Sequence, residues 1–472
     1  MIARPAVREE LVVDDKFPRI TSGNPQADEI LGGGFPCYSI NILMGQPGTG
    51  KTIFAEQLLY HNAGGGRPLL YVTTLSEPMS KVVNYVQRFT FFDPDKLGAE
   101  IQYEDLGAAL AERGPAALLD WLTEAIKERS PRIIVIDSYR AIHDVSTSDD
   151  DKRRFVSNLA GLLSAYDVTT FLLGEYTARD IESYPEFAVA DAIVELARQP
   201  LSTRDERFFR VLKLRGSGYR EGQHGFRITS AGLELYPRLV SPRVPETYEP
   251  SLERLPTGIP GLDKMMGGGL ITGSTTLVVG MTGAGKTTLA LQFALEGLRR
   301  GEETLYINFQ ENPAQLRRAI ANLGTDPASA AARGFGLLYA SPVELQIDSI
   351  VVEIFEAIKT GSIRRLVIDA VGDLAAAAND PQRLHDYLYS LIQHFAARGV
   401  TTMLTLESGE EIRGFASTRE QRFSYMSDNM IFLGWNAQHP DRRTLRVVKM
   451  RGSAHDAETR GLEIGADGVR VR

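Results

Sequence analysis

A single cysteine, Cys37, stands among 472 residues. No disulfide can close within the chain, and a reducing compartment, the cytoplasm, is expected. Cys37 follows Pro36 beside a glycine run, with no acidic or histidine cluster nearby. It is read as a small packing residue. No stretch approaches the roughly 20 uncharged apolar residues of a membrane-spanning helix, so no membrane association is expected. The opening segment MIARPAVREELVVDDKFPR has neither the apolar core nor the small-residue cleavage site of a secretory signal. Excess positive charge is missing too: 52 Lys and Arg face 60 Asp and Glu, a net charge of −8. Counterion release then contributes little to bulk nucleic-acid binding, which leaves at most a local basic groove. With 43 % hydrophobic and 24 % charged residues, the composition excludes a disordered chain. The length suits two or three domains.

What the sequence does contain is one unit written twice. Ser22-Gly23, Pro25 and Asp28 lead into Gly32-Gly33-Gly34; Thr257-Gly258, Pro260 and Asp263 lead into Gly267-Gly268-Gly269. The two motifs lie 235 residues apart, as do Lys51 and Lys286. Glu77 and Glu311 are 234 apart, Asp137 and Asp369 are 232 apart, and Lys213 and Lys449 are 236 apart. Five landmarks in register establish a duplication. The proline- and charge-rich segment near 240–254 reads as the joint. The expected layout is an N-terminal extension over 1–18, a first domain over 19–240, a linker over 241–254 and a second domain over 255–472. Within each half, continuous apolar runs alternate with helical patterns: SINILM, PLLYVTT, RIIVID and TTFLLGE, then TTLVVG, TLYINF, RLVIDA and TTMLTLE. Strands apolar on both faces predict tandem α/β domains, each a mostly parallel sheet flanked by helices. FFRVLKLRG and TLRVVKMRG predict antiparallel additions to each sheet.

Both Gly45–Thr52 and Gly280–Thr287 match the phosphate-binding loop G-x-x-x-x-G-K-[ST]. Glycines let consecutive N–H groups curl around phosphates, the following helix adds its dipole, Lys reaches the β/γ-phosphates and Thr ligates Mg²⁺. ATP with Mg²⁺ is the expected ligand. Gly48, Thr49, Gly50, Lys51 and Thr52 form one cradle; Gly283, Ala284, Gly285, Lys286 and Thr287 form the other. A glycine turn with a surface lysine cannot plausibly recur in register. Asp137 and Asp369 end apolar strands, where a carboxylate either holds Mg²⁺ through water or caps a helix. Glu77 and Glu311 lie just past the strands LLYVTT and TLYINF, positioned to polarise attacking water or to serve as surface or capping residues. Lys213 with Arg215, and Lys449 with Arg451, sit two apart on a terminal strand and so share a face. They suit a neighbour's γ-phosphate, or simply line a solvated strand.

Together these elements resemble the KaiC family of RecA-like ATPases, known from the cyanobacterial circadian clock. The likeness covers nearly the whole chain and rests on both opening motifs, both phosphate loops and the string Lys449-Met450-Arg451-Gly452-Ser453-Ala454-His455-Asp456. It implies a homo-hexameric double ring with ATP between protomers, and Lys213, Arg215, Lys449 and Arg451 as inter-subunit fingers. The clock members carry two consecutive glutamates at each catalytic position; here the pairs are Ser76-Glu77 and Gln310-Glu311. One carboxylate suffices for hydrolysis. In the clock proteins' second domain the first glutamate is the base for autophosphorylation, which Gln310 cannot be. Their Ser-Thr acceptor pair aligns with Ser424-Tyr425, so serine autokinase activity, if retained, falls on Ser424. The sequence also ends soon after its last strand-like stretch, so no KaiA-type tail binding is expected, while a KaiB-like partner remains open.

Two rival readings differ in kind. A DNA-acting recombinase or helicase ATPase would need basic loops, yet TARDIESYPEFAV is acidic. In SGEEIRGFASTREQRF, Arg413, Arg419 and Arg422 are offset by Glu410, Glu411 and Glu420. A non-enzymatic nucleotide-sensing scaffold would not need two complete catalytic sets.

Overall fold

The computed structural model describes residues 18–74, 79–146, 148–200, 204–242, 251–341, 345–377, 381–408, 423–465 and 468–472. Ser76 and Glu77 lie outside the described residues, as do most of the N-terminal extension, the linker core and the segment 409–422. The chain divides into two compact units, one ending at Arg238 and the other beginning at Leu239.

Each unit is built on a nine-stranded mixed sheet, and the strand order is the same in both. In the first, the loop strand Ile40–Met44 lies between Thr169–Gly174 and Ala192–Pro200, parallel to both. Parallel pairing continues from Thr169–Gly174 to Ile133–Asp137, then to Leu69–Thr73 and Ile101–Asp105. Asp205–Leu214 turns back antiparallel on Ala192–Pro200 and is followed by two further antiparallel strands, His224–Thr229 and Gly232–Tyr236. The second unit repeats this with loop strand Thr275–Gly280, then Ile363–Asp369 in the place of Ile133–Asp137 and Arg443–Met450 in that of Asp205–Leu214.

The apolar runs dictate this layering. Successive side chains of a strand face opposite ways, and both faces here are dry. Leu43, Tyr71, Val135 and Phe171 join one core, while Ile42, Met44, Val72, Ile134 and Ile136 join another. The second unit divides the same way, with Val279, Ile307 and Leu404 on one side and Val278, Tyr306 and Val367 on the other. Covering both faces with helices forces right-handed crossovers and brings all parallel strand ends to one edge. The sites lie there.

The duplicated opening motif proves structural. Asp28 accepts from the backbone N–H and hydroxyl of Ser22 at 2.8 and 2.7 Å, and Asp263 does the same for Thr257 at 2.7 and 2.8 Å. Pro25 and Pro260 occupy the first turn of the short helices that follow, where a missing N–H costs nothing. The third glycine of each triplet is obligatory. A Cβ on Gly34 would sit 2.4 Å from the Ile20 carbonyl, and one on Gly269 2.4 Å from that of Leu255. Cys37 is half-buried against the first core, consistent with a packing role.

One fully buried charge distinguishes the second unit. The Arg365 guanidinium meets Glu302 Oε2 at 2.5 Å, donates to the carbonyls of Pro256 at 2.8 Å and Phe293 at 2.9 Å, and lies 4.7 Å from the Phe293 ring centroid. Removing one member of such a group strands the others without water. Arg365→Ala should lower the stability of the second domain by about 3–5 kcal/mol in urea unfolding. A loss below about 1 kcal/mol would contradict this.

Candidate nucleotide-binding sites

Both phosphate loops adopt a common backbone because their glycines permit it. Gly48 and Gly283 have φ of 74° and 76°, and Gly50 and Gly285 have φ of 102° and 106°. The last pair are the left-handed residues that turn the chain into the helices Lys51–Asn62 and Lys286–Arg299. The start of each loop presses against a neighbouring strand: a Cβ on Gly45 would lie 2.1 Å from the Leu196 carbonyl, and one on Gly280 2.5 Å from that of Leu433. Around Gly48, by contrast, a Cβ would meet nothing within 4 Å among the described residues. The cradle is thus closed on the protein side and open on the other.

Across this opening the lysines fold back. Lys51 Nζ donates to the carbonyls of Gly45 at 2.9 Å and Gln46 at 3.0 Å; Lys286 Nζ donates to those of Gly280 at 2.8 Å and Met281 at 3.0 Å. Burial pushes both ammonium pKa values down, with Asp137 and Glu175 opposing this at Lys51, and Glu407 and Asp369 opposing it at Lys286. A desolvated cation held by dipoles favours an arriving anion.

The loop helices and the strands Ile133–Asp137 and Ile363–Asp369 converge at their terminal carboxylates. In the first site Thr52 Oγ1 donates to Asp137 Oδ2 at 2.8 Å, and Tyr71 OH reaches the same oxygen at 2.7 Å. In the second, Tyr306 OH donates to Asp369 Oδ2 at 2.8 Å and Thr405 bonds the other oxygen. Threonine and carboxylate are thus joined directly in the first site, while Asp369 is bonded by Tyr306 and Thr405. A hydroxyl, a carboxylate and an open glycine cradle form the donor set a hard cation on a polyphosphate requires. The residues fit Mg²⁺ with ATP.

Glu311 is half-buried, and its Oε2 is enclosed without a hydrogen-bond partner among the described residues. Burial, then the Asp369 charge, raises its pKa, against the pull of Arg318. Gln310 points elsewhere, its amide donating to Asp373 at 3.1 Å. The four residues expected as fingers each bond to carbonyls of a short turn in their own unit. Lys213 Nζ donates to the carbonyls of Phe187 at 3.2 Å and Ala188 at 3.4 Å, and Arg215 to that of Ala188 at 3.3 Å. Lys449 Nζ donates to the carbonyls of Ser424 at 2.7 Å and Ser427 at 2.6 Å, and Arg451 to that of Tyr425 at 2.9 Å. Each Lys–Arg pair does share a face, although each arginine lies one residue past its strand. Ser424 is half-exposed on the short helix 423–426, beside the exposed Tyr425.

Several residues of these sites escaped the sequence reading. A cavity of about 830 Å³ in the first unit is lined by Lys51, Thr52 and Asp137, and also by Arg140, Asp144 and Glu175. Glu175 follows the strand beside the loop strand, and its counterpart Glu407 accepts a hydrogen bond from Thr282 of the second loop. The signal was present, because Glu175 and Glu407 recur 232 apart in TTFLLGE and TTMLTLE. Tyr71 and Tyr306 likewise recur 235 apart. Among the described residues no helix is long and apolar enough to cross a membrane.

Comparison with known proteins agrees with this geometry. The family model described as the KaiC ATPase matches residues 20–240 and again 255–472. The chain is 28 % identical over 466 residues to the circadian clock oscillator protein KaiC of Picosynechococcus, covering 94 % of this chain and 88 % of the relative. It is 28 % identical to KaiC 1 of Synechocystis over 94 % of this chain and 87 % of the relative. Against KaiC of Synechococcus elongatus it is 27 % identical, with the same two coverages.

One buried acid separates the two sites. Glu56 lies one helical turn beyond Thr52, where the second unit has Leu291. It accepts from Tyr103 OH at 2.7 Å through Oε2, while Oε1 is buried without a partner. Burial raises its pKa from 4.5 to about 8. The unfolded chain releases this proton near 4.5 and the folded domain holds it to about 8, so first-domain stability falls as pH rises through that interval. Glu56→Gln should raise first-domain stability at pH 7.5 by roughly 2–4 kcal/mol and leave it little changed at pH 4.5. Parallel stability–pH curves for the two proteins would contradict this.

Proposed function

The chain belongs to the KaiC family of ATPases, and from that premise we propose that it hydrolyses ATP slowly at two sites per protomer, each completed by a neighbouring copy in a hexameric double ring. The observation that carries this is the pair of open cradles in register, each with its lysine folded onto loop carbonyls. Lys51 and Lys286 exchange those carbonyls for the β/γ-phosphates. Gly48, Thr49 and Gly50, with Gly283, Ala284 and Gly285, supply backbone N–H donors. Thr52 with Asp137, and Thr287 with Asp369, would hold Mg²⁺, which would draw off charge developing on the phosphate oxygens. Glu77 and Glu311 orient the water that attacks phosphorus in line as the bridging bond to the β-phosphate breaks; the departing ADP oxygen takes up the negative charge. Lys213 and Arg215, and Lys449 and Arg451, leave their own carbonyl partners to meet the neighbour's γ-phosphate.

Nucleotide state then changes the ring's surface for a partner protein, and a KaiB-like regulator fits this signalling role. The net charge of −8 supports a protein partner over nucleic acid. The family assignment does not favour a recombinase or helicase.

A second reading, autophosphorylation at Ser424, has one observation in its favour. Ser424 lies on the short turn whose carbonyl accepts from Lys449 Nζ at 2.7 Å, so it stands beside a cation assigned above to a neighbour's γ-phosphate. Against it, Gln310 offers no base, and its amide is engaged by Asp373. Incubation with labelled ATP should place any label on Ser424. Label that persists in Ser424→Ala would exclude this acceptor.

Glu77→Gln with Glu311→Gln should abolish phosphate release while ATP–Mg²⁺ still binds, measured with a fluorescent nucleotide. Undiminished release would contradict the assigned carboxylates. In a Glu77→Gln background only the second site turns over. Because water must be oriented by the ionised form of Glu311, and burial holds its pKa above 4.5, the acid limb of that activity should lie above the usual glutamate range. An acid limb at or below 4.5 would remove Glu311 from this role.

A further inference from the structure

The first unit carries a buried ionisable cluster that the reaction above does not use. It lies between the nucleotide cavity and the finger residues. Glu186 is almost wholly buried, with 1 % of its side chain exposed, and the His143 beside it shows 7 %. One carboxylate oxygen, Oε1, accepts from Tyr176 OH at 2.5 Å and faces His143 Nε2 at 2.8 Å; the other is enclosed without a partner among the described residues. A buried carboxylate persists only where its donors are fixed in place, so these two contacts define where Glu186 can sit.

Its two sides lead to different places. His143 belongs to the short helix Ala141–Asp144, whose Ala141 and Asp144 line the cavity with Asp137 and Arg140. Arg140 ties the same wall to the loop that carries Tyr176, donating to the Glu175 carbonyl at 2.7 Å and pairing with Asp180 at 3.5 Å. Its guanidinium also lies 5.6 Å from the Tyr176 ring centroid and 5.4 Å from that of Tyr184. In the other direction, Glu186 opens the four-residue helix Glu186–Val189. The carbonyls of Phe187 and Ala188 in this helix hold Lys213 and Arg215. One helical turn has negligible stability of its own, so its orientation follows its anchors.

The second unit anchors the matching turn differently. Phe423 stands where Glu186 does and is buried in an apolar core, while positions 372 and 375, opposite Arg140 and His143, are Gly and Ala. Lys449 and Arg451 still bind carbonyls of that turn. Apolar packing is indifferent to charge in the pocket, whereas a hydrogen-bonded carboxylate tied to the pocket wall is not.

We propose that Glu186, gripped by His143 and Tyr176, is a positioning residue that couples the first domain's nucleotide cavity to Lys213 and Arg215. This rests on the finger role assigned above and adds that the first ring's fingers are set by the occupancy of their own protomer's pocket. Glu186 touches no phosphate; it acts through the turn that presents the two cations.

The test is a double-mutant cycle in the full chain carrying Glu311→Gln, so that only the first site turns over. Glu186→Gln keeps the volume and should lower kcat about tenfold with KM for ATP within about twofold, because the loop that binds nucleotide is untouched. Placed on Arg215→Ala, it should cost less than about twofold more, because the group it positions is gone. Tyr176→Phe withdraws one donor, leaves the acid in place and should give a smaller loss in the same direction, which covers a Glu186 variant that fails to fold. Equal losses with and without Arg215, or a raised KM at unchanged kcat, would overturn the coupling while leaving the fingers standing. If Arg215→Ala itself left kcat intact, the finger assignment and the coupling built on it would both fall.

Discussion

A lysine ammonium turned back onto the carbonyl oxygens of its own loop is the interaction on which each half depends. The contacts at Lys51 and Lys286 hold a partly desolvated cation against loop carbonyls, beside glycines in the left-handed region. Dipoles compensate such a charge only in part, so the loop is prepared for a polyanion before one arrives. The rest of each domain keeps this loop in place. Strands dry on both faces fix the sheet, and the close approach of Gly45 to Leu196 and of Gly280 to Leu433 fixes the loop against it. Asp137 and Asp369 come to the loop because their strand lies one place beyond the loop strand's neighbour.

Much of this was legible in the sequence, and for identifiable reasons. A glycine loop needs particular residue types at particular spacings, so its function shows as a pattern. The apolar runs SINILM, RIIVID and TTFLLGE became strands because buried parallel strands tolerate nothing else. The weaker or shorter strands Ile101–Asp105 and Phe335–Tyr339 did not stand out, since edge strands are half-exposed and mixed in composition. The side chains around Asp137 and Asp369 were hidden for another reason. Tyr71, Tyr306 and Thr405 are ordinary β-formers in sequence and become site residues only when strands align. Glu175 and Glu407 could have been found by extending the repeat comparison past the named motifs. The joining of Lys213 and Arg215 to a distant turn depends on the antiparallel return of the finger strand, which no local pattern specifies.

The duplication also shows how the halves have separated. The phosphate loops and finger pairs remain superimposable in pattern, while their supports differ. Asp137 is met by Thr52 and Tyr71, Asp369 by Tyr306 and Thr405. Glu56 faces Leu291 across the repeat, and Ile133 faces Arg365. The turn beneath the fingers is held by a carboxylate in one half and by a phenylalanine in the other. The last three exchanges set a buried ionisable group in one domain against an apolar residue in the other, away from the phosphate loops. Two domains with the same loop chemistry can thereby respond differently to conditions.

The central claim is that neighbouring copies complete each site. Light-scattering mass and phosphate release, followed together over a dilution series with and without ATP–Mg²⁺, address it directly. The account predicts a six-fold larger particle with nucleotide, and turnover per chain that falls away as dilution returns the protein to single chains. A single-chain particle with undiminished turnover at every dilution would contradict it.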